Sequence, residues 1–202
     1  IAYQEGDLET ARKFIEESLR LSRELNEKYG IAAALNSLGD IARTEGDNAK
    51  ARPLFEESLA ISRQLGIKQF ICAILANLGA VTFGEGDLAA AHRHFSEALA
   101  TAQELGNRTI ISLSLDGFAA LATERGESDY AAQISSAADN LRESIGYEIE
   151  PADLRFRDTF LAKLRSSLSD TDLSASFDKG RRLRPEEAVA LCLQNKGSET
   201  TE

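Results

Sequence analysis

The triplet Glu-Gly-Asp recurs at a spacing of 40 residues, and a period of this length is typical of a chain built from repeated structural units. The triplet begins at Glu5, Glu45 and Glu85, and Gly126 continues the spacing once more. Other positions keep the same period, for example Leu25, Leu65, Leu105 and Ile145. The period predicts an array in which each unit packs against its neighbours.

Apolar residues within each unit lie three and four positions apart, as in Ala51, Leu54, Phe55 and Leu59. This is the spacing of one helix face, so each unit contains two helices. In the triplet, glycine can adopt the left-handed conformation that ends a helix, and aspartate can accept hydrogen bonds from the first N–H groups of the next helix. The sequence therefore predicts an all-α fold, an α–α superhelix of helical hairpins.

The composition excludes several function classes. The 202 residues include 23 Lys and Arg against 33 Asp and Glu, a net charge of −10. Because such a surface repels phosphate backbones, we expect no direct binding of nucleic acid. The sequence contains no run of about 18 apolar residues, so no membrane span is predicted. Cys72 and Cys192 lie in apolar helical patterns, which indicates core thiols in a reducing, cytoplasmic compartment.

The first residues have the pattern of an incomplete unit. The chain begins with Ile1 and contains no methionine, and Ala2-Tyr3-Gln4 has the pattern of a helix end. We expect a fragment of a longer protein, or a chain with further residues ahead of Ile1. The incomplete unit also predicts weak self-association through an exposed apolar end.

Small residues alternate with large ones where paired helices would cross. The first two sets are Leu38-Gly39 with Ala51, Phe55 and Ser58, and Leu78-Gly79 with Ala91, Phe95 and Ala98. A degenerate third set is Phe118-Ala119 with Ala131, Ser135 and Ala138. These residues resemble the tetratricopeptide family, whose common unit has about 34 residues. Units of 40 residues are similar to those of kinesin light chains, polarity adaptors and bacterial regulators that sense peptides or ligands.

The resemblance covers residues 1 to about 146, with units turning at Gly6, Gly46, Gly86 and Gly126. We predict a C-terminal helical cap over residues 147–195 and a disordered tail over 196–202. Three helices are expected in the cap, at about 151–168, 171–180 and 185–194, with Asp170 as an N-cap. They are expected to cover the exposed end of the stack.

The last quarter carries a second resemblance. The residues are Arg157, Leu161, Leu164 and Arg165, then Phe177, Gly180 and Arg181, then Pro185-Glu186-Glu187-Ala188-Val189. They look like the end of large bacterial signalling proteins, in which a nucleotide-binding switch domain precedes long tetratricopeptide-like repeats. A transcription-factor, kinase or cyclase domain is often attached. The resemblance implies bacterial signalling or transcription regulation. The phosphate-binding Gly-x-x-x-x-Gly-Lys-Ser/Thr loop is absent from the sequence.

The sequence shows no arrangement typical of catalysis. His92 and His94 are two positions apart on one helix, so they point about 200° away from each other and cannot share a metal ion there. Neighbouring acidic residues such as Glu56 and Glu57 also diverge around their helix. We therefore predict no catalytic residue, no metal site, no cofactor and no enzyme activity.

The family resemblance implies that the first helix of each unit lines a concave groove. Equivalent positions then form rows along the groove, and small alanines leave room for a partner. The predicted partner-binding residues are Tyr3, Asn36, Asp40, Arg43, Asn77, Phe83, Asp116 and Thr123. The alternative is that these polar residues only keep the concave face soluble.

Three functional hypotheses follow. The first is a non-enzymatic module that binds a protein or peptide through the groove. The second is a ligand- or peptide-sensing domain that controls an attached effector domain. The third is self-assembly. The carboxylate clamp of chaperone-binding tetratricopeptide domains is not matched. Only Asn77 fits one of the clamp positions, and the cationic residues of the clamp are missing. A partner of positive or neutral character is expected.

Overall fold

The computed structural model describes residues 8–194, and this part of the chain consists of helices without a β-strand. The predicted disordered tail and Tyr3 lie outside the described residues. No described helix is both long and apolar enough to cross a bilayer. The helices are α1 (Leu8–Glu24), α2 (Lys28–Thr44), α3 (Asn48–Leu65), α4 (Lys68–Gly84), α5 (Leu88–Leu105), α6 (Arg108–Glu124), α7 (Ser128–Ile145), α8 (Pro151–Ser167), α9 (Asp170–Arg181) and α10 (Pro185–Gln194).

The first seven helices pack as consecutive antiparallel neighbours. The pairs α2–α3, α4–α5 and α6–α7 are complete hairpins, and α1 is the second helix of the incomplete first unit. The first helices also contact each other from unit to unit, α2 with α4 and α4 with α6. They therefore line the inner side of the stack, which we call the concave face. The prediction of an all-α, tetratricopeptide-like solenoid is confirmed.

The Glu-Gly-Asp triplets form the turns between paired helices. Gly46 and Gly86 have φ values of +82° and +83°, in the left-handed region that favours glycine. The carboxylate of Asp47 then accepts a hydrogen bond of 3.0 Å from the backbone N–H of Lys50. Asp87 caps α5 in the same way, at 2.9 Å from the N–H of Ala90. The predicted use of glycine to end one helix and aspartate to begin the next is confirmed.

Paired helices approach each other most closely where a phenylalanine ring covers a glycine. A Cβ atom on Gly39 would come within 2.6 Å of the ring of Phe55, and one on Gly79 within 2.6 Å of the ring of Phe95. Both rings are fully buried. Because a side chain larger than hydrogen would separate the helices, the Leu-Gly pairs of the sequence mark the crossing points.

The core also contains the two thiols. Cys72 and Cys192 are buried and free, as their apolar surroundings predicted.

The three helices predicted in the last quarter are present, and their ends lie within a few residues of the predicted ones. The N-cap of α9 is Ser169 and not Asp170, because the Ser169 hydroxyl accepts the backbone N–H of Asp172 at 3.2 Å. α9 packs against α7, at the end of the stack, and α10 returns to α5, α6 and α7. α8 instead contacts α2 and α6 on the concave face, so the expectation that all three helices cover the end was wrong for α8. The division into repeats and cap near residue 146 stays a prediction.

Candidate functional site

The helix α8 lies across the concave face, on the surface where a partner was predicted to bind. Near its first turn, the Asp153 carboxylate accepts a hydrogen bond of 2.6 Å from Nη2 of Arg43 in α2. One turn later, the ring of Phe156 meets Phe83 of α4 edge to face, with centroids 5.4 Å apart. Towards its end, Lys163 pairs with Glu124 of α6 at 2.6 Å. α8 therefore crosses the C-terminal halves of all three inner helices.

The contact with Arg43 is a buried ion pair. The exposed fraction of the side chain is 7% for Arg43 and 14% for Asp153. Charges that have left water in this way are stable only when they are paired and hydrogen-bonded. Arg43 therefore fixes the beginning of α8 in this conformation.

A second polar group surrounds Asp40, next to Arg43 on α2. The Asp40 carboxylate accepts hydrogen bonds from the amides of Asn36, at 3.1 Å, and Asn77, at 2.9 Å. Burial raises the pKa of Asp40 to about 7, and the nearby carboxylates of Asp153 and Glu150 add to this effect while Arg43 opposes it. Asp40 therefore exchanges its proton close to neutral pH, at the point where α8 begins.

A third group lies deeper in the stack, around Asp116 of α6. Arg142 of α7 donates to Asp116 at 2.7 Å, and the exposed fractions of these side chains are 4% and 5%. Arg157 of α8 lies 3.6 Å from the same carboxylate and also pairs with Asp139. These four side chains join α6, α7 and α8, and all but Asp139 are largely buried.

Three of the predicted partner-binding residues are buried. Arg43 is held by Asp153, Asp116 is neutralised by Arg142, and the Thr123 hydroxyl donates to the carbonyl oxygen of Ala119 at 2.8 Å. The expectation that these three face an open groove was therefore wrong.

The other predicted residues have different positions. Asn36, Asp40, Asn77 and Phe83 are half-buried on the concave face, and Tyr3 is not among the described residues. The structure brings Asn36, Asp40 and Asn77 together and places Phe83 against α8. That these residues bind a partner stays a prediction.

Beside α8 the concave face keeps an open cleft of about 390 Å³, lined by the C-terminal ends of α2 and α4, the start of α3 and one side of α8. We call it the α8 cleft. Its lining includes Asn48, Phe83, Gly84, Arg155 and Phe156. This volume lies within the range of about 300–1,000 Å³ that is usual for small-molecule sites.

Sequence reasoning missed two sets of residues. Asp153 and Arg157 belong to no repeat, so the period contained no signal for their contacts. Asn48 and Gly84 did carry a signal, because they depart from the period. The equivalents of Asn48 are Leu8, Leu88 and Ser128, and the equivalents of Gly84 in the described units are Thr44 and Glu124.

The two histidines diverge, as the helix geometry predicted. The ring of His92 packs edge to face on Phe118, at 5.6 Å between centroids. Nδ1 of His94 lies 3.5 Å from the hydroxyl oxygen of Thr82. Thr82 belongs to α4, whereas Phe118 belongs to α6. Within residues 8–194, no group of three or more His, Cys, Asp or Glu side chains is placed to hold a metal ion.

Comparison with known proteins adds one finding. A family model described as tetratricopeptide repeat matches residues 1–64 of the 202, which span α1, α2 and nearly all of α3. Neither the curated proteins nor the solved structures contain a match to the chain. The family match agrees with the helical hairpins of the fold and supports a tetratricopeptide-repeat family for this chain.

Proposed function

We propose that this chain is a non-enzymatic interaction module that binds a protein or peptide through its concave face. Tetratricopeptide repeats in general serve protein–protein interaction, and repeat stacks present extended concave surfaces for this purpose. We further propose that the chain is a fragment of a bacterial, cytoplasmic signalling or transcription-regulating protein. That proposal rests on the resemblance of the last quarter to such proteins.

The observation that carries the proposal is the position of α8. The helix α8 already lies on the concave face, where its Asp153 carboxylate pairs with Arg43 and its Phe156 ring packs against Phe83. A surface that accepts one helix in this way has the chemistry to accept another, because helix-in-groove recognition uses the same few anchors. Because Asp153 and Phe156 already occupy these anchors, we infer that a partner helix with an acidic residue and an aromatic residue three positions later would bind by displacing α8. Such a partner is acidic at this anchor, unlike the positive or neutral partner that the sequence predicts.

Selection of a random peptide library on the intact chain tests the proposal. We expect enriched peptides with an acidic-x-x-aromatic pattern, and we expect Phe83→Ala to weaken their binding about tenfold or more. The matched control is Phe14→Ala, since Phe14 is 70% exposed on α1 and away from the concave face. Circular dichroism checks that both variants keep their helices. The absence of enrichment, or equal loss in both variants, would contradict the proposal.

The α8 cleft favours a second function, a ligand-sensing domain that controls an attached effector domain. The cleft has the volume of a small-molecule site, and its wall includes α8, so a ligand there would bias the position of that helix. Thermal unfolding in the presence of peptides and metabolites separates the two functions. A ligand that binds only the folded state raises the unfolding temperature. Stabilisation by a small molecule favours sensing, and no stabilisation by any small molecule favours a plain binding module.

A further inference from the structure

Two departures from the 40-residue period meet in the α8 cleft. Gly84 leaves its side-chain space to Asn48, because a Cβ atom on Gly84 would come 2.5 Å from Nδ2 of Asn48. An amide therefore points into the cleft at a place where Leu8 and Leu88 stand in the other units. Asn48 therefore supplies a polar group to the cleft, and Gly84 leaves the space that this group occupies.

The cleft is positively charged although the chain is acidic. Among the described residues that line it are two arginines, Arg43 and Arg155, and no carboxylate. Arg43 is held by Asp153, but neither Arg155 nor Asn48 has a side-chain partner within residues 8–194. Nη1 of Arg155 lies over the Glu-Gly-Asp turn, 2.9 Å from the position of a Cβ atom on Gly46. A cation and an amide are thus available at one end of the cleft.

Another part of the lining is apolar. Phe83 and Phe156 meet edge to face, and Ala80 also lines the cleft. Aromatic walls of this kind accept an apolar or aromatic body, while Arg and Asn side chains bind a carboxylate through N–H donors. The cleft therefore offers complementary surfaces to the two ends of an amphipathic anion.

We propose that the α8 cleft is a binding site for an organic carboxylate with an aromatic or branched apolar body. Arg155 and Asn48 bind the carboxylate, and Phe83 and Phe156 enclose the body. This inference deepens the ligand-sensing function proposed above and rests on it for its biological role. The carboxylate can belong to a small metabolite or to the C-terminus of a peptide, since both present the same chemistry.

Calorimetric titration of the intact chain near pH 7 tests this inference. The probes are N-acetyl-L-phenylalanine and Gly-Gly-Phe, each compared with its neutral C-terminal amide. We expect the acids to bind with a Kd on the order of 0.1–1 mM, which suits ligands of about 15–20 non-hydrogen atoms. We expect each amide to bind at least tenfold more weakly. Tighter binding of Gly-Gly-Phe would indicate a peptide C-terminus as the natural anion, and the reverse order would indicate a metabolite.

Variants on the same helix make the test specific. Arg155→Gln should remove the preference for acid over amide, whereas Arg165→Gln, an equal loss of charge at an exposed position of α8 outside the cleft, should leave it unchanged. Gly84→Ala should weaken binding of the acids by displacing the Asn48 amide, since the new Cβ atom would come 2.5 Å from its Nδ2. It should not harm α4, since alanine favours helix over glycine. Equal binding of acid and amide, an unchanged preference in Arg155→Gln, or no binding of any probe would overturn the inference.

Hydrogen exchange of the α8 amides separates this inference from the sensing function. Acid-selective binding that slows exchange in α8 supports both. Acid-selective binding without any change in α8 supports the carboxylate site and contradicts sensing. Binding of acid and amide with equal slowing of exchange in α8 overturns the carboxylate site and leaves sensing intact.

Discussion

Between the first units, charged side chains pair on the surface and keep the 40-residue period, whereas the ion pairs of Asp153 and Arg157 on α8 lie largely inside the fold and follow no period. The surface pairs form ladders along the stack. One rung joins Arg12 to Glu45 at 2.5 Å, and the next joins Arg52 to Glu85 at 2.7 Å. A second ladder consists of Arg23–Glu57 and Arg63–Glu97.

Both ladders stop between the third unit, which contains α5, and the fourth unit, which consists of α6 and α7. The positions that would form the next rung of the first ladder hold His92 and Arg125, and those of the second hold Gln103 and Ala137. The buried group of Asp116, Arg142 and Arg157 begins in the fourth unit. The ion pairs therefore change from exposed to buried in the part of the array that α8 contacts.

Repetition and burial have separate consequences for stability. An exposed pair contributes little, because water and salt screen it. A buried pair offers little net gain over apolar packing, but loss of one partner leaves an uncompensated charge in the core. We therefore expect the periodic contacts to tolerate substitution and the aperiodic ones not to.

The largest effect is expected at Asp116. In the Asp116→Ala variant, Arg142 and Arg157 lose a shared buried carboxylate, so the free energy of unfolding should fall by about 3–5 kcal/mol. Urea unfolding followed by circular dichroism measures it. The matched control is Asp158→Ala, at an exposed position of α8. A loss below about 1 kcal/mol at Asp116, or an equal loss at Asp158, would show that the buried charges do not secure α8.

The same contrast explains how much the sequence could predict. Turns, helices and crossing points follow from local rules that each unit obeys again, so Gly46, Asp47 and the Gly39–Phe55 crossing could be placed without a structure. The contacts of α8 depend on the long-range return of a helix that has no copy elsewhere in the chain. Hence the contact between Asp153 and Arg43 could not be predicted. The groove that the sequence presents as open is covered by α8 at Arg43.

The candidate site shows the same limit. The sequence predicts Asn36, Asp40 and Asn77 on the inner helices, but their periodic equivalents do not include one another, so the hydrogen bonds of both amides to Asp40 are visible only in the structure. Asn48 and Gly84 could have been found as departures from the period, but only the position of Arg155 on α8 shows that they belong to one cleft.

The next largest effect is expected at Asp40, where the two regions meet. Its pKa is raised from the ordinary value to about 7 in the folded state. A raised carboxyl pKa means that the folded state holds the proton more tightly than the unfolded state does. The contribution of Asp40 to stability is therefore fully present below about pH 4 and is lost as the pH rises to about 7.

The Asp40→Asn variant removes this dependence. We expect it to be more stable than the parent chain by about 1 kcal/mol at pH 8, and the advantage should decline towards pH 5. Urea unfolding at several pH values provides the comparison, with Asp158→Asn as the exposed control. An advantage that stays constant with pH would mean that Asp40 does not titrate in this range. A variant less stable at pH 8 would show that its ionised form stabilises the start of α8.

The smallest effect is expected in the ladders. Arg52 also pairs with Glu56 at 2.9 Å, so a single Arg52→Ala change mixes two interactions. A double-mutant cycle of Arg52→Ala and Glu85→Ala isolates the rung between units, and we expect a coupling free energy of about 0.2–1 kcal/mol that shrinks in 1 M salt. If the coupling exceeded about 2 kcal/mol and resisted salt, the rung would act like a buried pair. The absence of a rung between the third and fourth units would then weaken the stack, and the buried group around Asp116 would be its replacement.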